Sequence, residues 1–93
     1  MEERALDPHL QKQVDLGSSG LDIMHGHLKV LMLEASDELR MAQEIEEEND
    51  YSDAMESMER KYWEGQVDAL GNLYNLTYDL SFAIAERAAS ENR

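Results

Sequence analysis

YWEGQVDALGNLYNLTYDLSFAIA, residues 62–85, winds into one continuous helix whose polar residues fall in a single narrow stripe. At about 100° per residue, Glu64, Asp68, Asn72, Asn75 and Asp79 share an arc of roughly 80°. Tyr62, Trp63, Val67, Leu70, Leu73, Tyr74, Leu76, Tyr78 and Leu80 spread over the rest of the circumference. That is wider than the apolar stripe of roughly 100° which one neighbouring layer covers. Such a helix needs partners on more than one side.

Upstream, Asp7 and Pro8 form a helix start, with Asp as N-cap and Pro at the first helical position, where its missing N–H costs nothing. Leu6, Leu10 and Val14 then recur every four residues, so a short helix is predicted over about 8–16, ending at Gly17. Ser19 with Asp22 three residues on resembles a capping box and opens a long helix over about 21–48. Its expected seam is Leu21, Met24, Leu28, Leu31, Ala35, Ala42 and Ile45, interrupted by Glu38 with Leu39 beside it. Acids crowded after Glu44 oppose the dipole at that helix's end and suit the start of the next, with Asp50 or Ser52 as cap. The third helix is predicted over about 52–88, before a polar tail from Ser90 to Arg93. Gly65 and Gly71 inside it cost roughly 1 kcal/mol each against Ala, which points to close approach of another backbone.

The chain of 93 residues is thus expected to form one domain, 1–93, of all-α class. A short N-terminal helix packs across a long antiparallel helical hairpin whose arms span roughly 40 and 55 Å. A lone hairpin of that length cannot cover both of its wide apolar faces, so dimerisation into a four-helix bundle is expected. The competing outcome is a monomer that holds an aromatic flank for a different partner. Trp63, Val67, Leu70, Tyr74 and Tyr78 are the candidate interface residues in either case.

Charge excludes more than it assigns. With 21 acids against 8 bases the formal net charge is −13, a field that repels nucleic acid and anionic membranes and favours basic protein surfaces. Apolar runs reach four residues at most, Val30 to Leu33 among them, far too short to cross a membrane. Zero Cys removes disulfides, thiolate metal sites and thiol nucleophiles and favours a cytoplasmic setting. The acids thickest around the predicted turn, Glu44, Glu46, Glu47, Glu48, Asp50, Asp53 and Glu56, are the candidate site for a basic partner.

Catalytic and metal chemistry finds less support. His25 and His27 are two apart, so a helix points them to nearly opposite sides, and no cofactor is expected. The Ser residues lie in turns, surface or tail, without a Gly-rich elbow. Antiparallel pairing does set Glu34, Asp37 and Glu38 roughly level with Glu64 and Asp68, where facing carboxylates could hold magnesium and a phosphate ester. Here the chain resembles the all-helical MazG-like nucleoside triphosphate pyrophosphatases, whose Glu-Glu-x-x-Glu cluster on one helix is answered by Glu-x-x-Asp on the next. The first cluster lacks its paired Glu, and the second has three intervening residues where the family has two.

Tyr62 to Gly65, Asp68 to Leu70, and Leu76 to Tyr78 through Ala83 to Arg87 resemble segments of small helical proteins encoded by bacteriophages. That resemblance implies a modulator that binds and blocks a host protein. The combined expectation is a small acidic binding module, of inhibitor type, that docks on a basic nucleic-acid-binding surface. The alternatives are a self-assembling structural subunit and a magnesium-dependent nucleotide pyrophosphatase.

Overall fold

The computed structural model describes residues 6–91. At 87% helix, with no strand among the described residues, the chain is all-α. Its elements are α1 (Pro8–Asp15), α2 (Gly20–Glu48) and α3 (Ala54–Glu91). α3 continues through Ser90 to Glu91, where a polar tail was expected; Asn92 and Arg93 lie outside the described residues.

Local chemistry sets each boundary. The Asp7 side chain accepts the His9 N–H at 2.8 Å ahead of Pro8. α1 then closes with a Schellman pair, Gly17 N–H to Val14 C=O and Ser18 N–H to Gln13 C=O, at φ +84° for Gly17. Ser19 caps α2 by accepting the Asp22 N–H at 3.2 Å. α2 ends in a second Schellman pair, Asp50 N–H to Glu47 C=O and Tyr51 N–H to Glu46 C=O, built without glycine. α3 is capped by Asp53, which accepts the Met55 N–H at 2.9 Å, and not by Asp50 or Ser52. Asp50 is occupied in the left-handed turn, and the Ser52 hydroxyl donates to the Asn49 carbonyl at 2.6 Å.

Asp50 and Tyr51 sit at φ 51° and 59°. Asp tolerates that region; an aromatic side chain there is strained by on the order of 1 kcal/mol. Tyr51 is 61% exposed and offers little packing in return. Tyr51→Gly is therefore expected to raise stability by about 1 kcal/mol, or about 4–8 °C in Tm, followed by far-ultraviolet circular dichroism on heating. A lower Tm would mean that the ring holds the turn.

α2 packs against α3 from the turn to about Ser81, beyond which α3 runs on exposed. Contacts match rising numbers on α2 with falling numbers on α3: His25 with Thr77, Met32 against Gly71, and Glu46 with Arg60 and Ser57. α1 touches α2 alone among the described residues. The inward positions repeat every three and four residues, Leu21, His25, Leu28, Met32, Ala35, Leu39, Ala42 and Glu46 on α2. The seam is thus rotated one position from the sequence expectation. Met24 and Ile45 stand about half exposed, and His25 and Glu46 take the inward places. The rotation is favoured because both polar side chains find partners on α3.

The glycine expectation also needs correcting. Among the described residues no backbone of another element comes within 4 Å of either position: a Cβ at Gly71 would meet only the Met32 sulfur at 4.0 Å, and one at Gly65 would meet nothing. Little is buried overall. The apolar core among the described residues is Leu28 (6% exposed), Ala35 (3%) and Ala42 (8%), two of them only methyl groups. The radius of gyration, 18.5 Å, compares with about 12 Å for a compact chain of this length.

Candidate interaction surfaces

Two polar clusters close the ends of the α2–α3 seam. Near the turn, the buried Glu46 carboxylate accepts from the Ser57 hydroxyl and from Arg60 Nε, while Arg60 Nη1 reaches Glu64 at 2.6 Å. The Ser57 hydrogen bond holds the Glu46 carboxyl below its ordinary range. Burial opposes this, and the Arg60 hydrogen bond and the charges of Arg60 and Lys61 add to it. The same contacts, Glu46 first and Glu64 second, raise Arg60 further above its ordinary value. At the far end the Thr77 hydroxyl donates to the Tyr74 carbonyl at 2.9 Å, which leaves its oxygen to accept from His25 Nδ1 at 2.8 Å. The His25 ring stacks on Tyr74 at 4.3 Å.

Neither cluster was legible as a unit in the sequence. Arg60 and Glu64 lie four apart on one helix, a detectable pairing, whereas Glu46 and Arg60 are 14 apart and meet only through the turn. Among the described residues, no group of three or more His, Asp and Glu side chains is gathered as a metal site. Glu34 and Glu38 border a hollow beside Trp63 and Leu70, while Glu64 points away from it toward Arg60, and Asp37 and Asp68 are exposed. The five carboxylates aligned by the sequence are divided between the two sides of the helix pair.

The acidic turn keeps most, not all, of its expected members at the surface. Glu47, Glu48, Asp50 and Asp53 are exposed. Glu44 is exposed but paired with Arg40 at 2.9 Å. Glu46 is internal, at 1% exposure, so it cannot meet a partner. Glu56 is half-buried and takes the Asn49 amide at 2.7 Å. From Glu44 to Glu59 the chain holds eight acids and no Lys or Arg. Because Schellman bonds close one side and the Asp53 cap the other, this charge sits on an ordered turn.

The two sides of the α2–α3 layer differ. On one, Leu31, Ala35, Trp63, Gln66 and Leu70, together with the acids Glu34 and Glu38, line a hollow of about 410 Å³. Helical geometry places Met24, Ile45, Tyr62, Leu73 and Leu76 around it, all exposed. On the other lie Lys29, Ser36, Gln43, Lys61, Asp68 and Asn75, with Leu33, Tyr78 and Phe82 as its exposed apolar members. Of the expected interface residues, Trp63, Val67, Leu70 and Tyr74 are half-buried toward α2, and Tyr78 is 57% exposed. A second groove, about 460 Å³, runs between α1 and α2 past Leu10, Ile23 and Val30. It shares Leu31 and Glu34 with the first, so both open on the apolar side.

Compared with known proteins, the chain matches no family model, no curated protein and no solved structure. No helix among the described residues is long and apolar enough to cross a membrane.

Proposed function

We propose that the protein works by binding: an antiparallel helical hairpin whose acidic turn docks on a basic surface of another protein and competes there with nucleic acid. The supporting observation is the ordered turn with Glu47, Glu48, Asp50 and Asp53 exposed and no base from Glu44 to Glu59. Carboxylates carried on a closed turn lose less backbone freedom on docking than carboxylates on a loose loop. The long-range field of a chain carrying −13 speeds the encounter with a cationic patch. An inhibitor that masks a host protein, as the resemblance to phage helical proteins implies, is the form this activity takes.

Reversing Glu47, Glu48 and Asp50 to Lys together is expected to weaken capture of the partner by about 100-fold and to flatten its salt dependence. Pull-down from lysate with wild-type and variant chains, followed by nucleic-acid competition on the captured protein, reads this. Equal capture by both chains would remove the turn as the docking site. A second reading, a structural subunit that only self-assembles, is favoured by the exposed apolar side of the hairpin. Recovery of the chain alone from the lysate would select it.

A further inference from the structure

We propose that the apolar side of the α2–α3 layer, centred on the hollow between Leu31, Trp63 and Leu70, is where a second copy of this chain seats, closing a four-helix bundle. The inference rests on the hairpin reading above but not on docking by the acidic turn.

Area argues first. The chain exposes 7559 Å², whereas a folded monomer of 10.7 kDa exposes about 5,500 Å². The excess, about 2,000 Å², falls within the roughly 1,000–2,500 Å² per partner that obligate dimers bury. Its distribution argues second. Met24, Ile45, Tyr62, Leu73 and Leu76 stand about half exposed on one side of the layer, and nothing in the described chain covers them. That side is a patch whose ridges and central hollow can receive their own symmetry mates, as a two-fold interface requires. Two acids line the hollow itself, Glu34 and Glu38, and carry the same sign on both copies.

Charge then separates this interface from the acidic turn. Two chains of −13 repel, so added salt tightens their association, whereas it loosens docking on a basic surface. Sedimentation equilibrium of the full chain at about 0.05 and about 0.5 M sodium chloride is expected to give twice 10.7 kDa, with tighter association at the higher salt. Leu73→Glu with Leu76→Glu should return the mass to 10.7 kDa, while Leu33→Glu with Phe82→Glu, on the opposite side, should leave the dimer. Charge reversal at Glu47, Glu48 and Asp50 should leave it too, so this interface and the docking turn fail independently.

Since the chain has no Cys, single thiols provide a readout that does not disturb folding. Ala69 lies on the same face of α3 as Leu73 and Leu76, four and seven residues on, so Ala69→Cys should react about tenfold more slowly with a thiol reagent as concentration rises, and the neighbouring Asp68→Cys, on the opposite side, should not change. A wild-type mass of 10.7 kDa at both salts, or equal behaviour of the two thiols, overturns the proposal.

Discussion

Glu46→Ala lowers Tm by about 10 °C or more. The carboxylate is 1% exposed and accepts from Ser57 and Arg60, so its removal leaves a hollow at the end of the seam and an unpaired hydroxyl. Arg60 keeps Glu64 as a partner. Arg60→Ala is therefore not equivalent, because it leaves a buried carboxylate with only Ser57 as a direct donor. The pH dependence has a definite sign. Glu46 is held below its ordinary value near 4.5, so its contribution is complete above that value and disappears as pH falls through the lower folded one. The stability difference between wild type and Glu46→Gln should be flat above about pH 5 and shrink below about 4.5. A difference that grows with acid would contradict the network, and thermal melts of both chains between neutral and acid pH read it.

Leu28→Ala costs about 2–5 kcal/mol, since its side chain is 6% exposed in the middle of a seam whose other fully buried apolar members are Ala35 and Ala42. Leu76 supplies the contrast. In the single chain it is 52% exposed, and Leu76→Ala should cost roughly half of a full burial there, about 1 kcal/mol. If a second copy lies over it, the cost approaches that of Leu28→Ala. Denaturant titrations of both variants at high and low concentration separate the cases. A large penalty for Leu76→Ala that fades on dilution indicates covering by a twin, and a small constant one indicates that Leu76 stays wet.

The helices were legible in the sequence because their punctuation is local. Asp7 with Pro8, Gly17, Ser19 with Asp22, and the acids from Glu44 onward each act within a few residues of a helix end. The rotation of the seam was not. Counting apolar residues selects Met24 and Ile45 over His25 and Glu46, and only the tertiary partners Thr77, Ser57 and Arg60 reverse that preference. The turn shows the same limit. Its composition announced acidity, yet it could not reveal that Glu46 would fold inward while Glu47 and Glu48 remained outside. The girth of α3, read from residues 62–85, persists as an unmet demand: Tyr62, Leu73, Leu76, Tyr78 and Leu80 all remain exposed in the single chain.

That demand is tested most directly by thermal unfolding across a hundredfold range of protein concentration. If two chains share one core, Tm rises by about 5–10 °C over that range, because folding is then linked to association. A sharp, cooperative transition at the same temperature throughout would mean that one chain is stable with its apolar side in water.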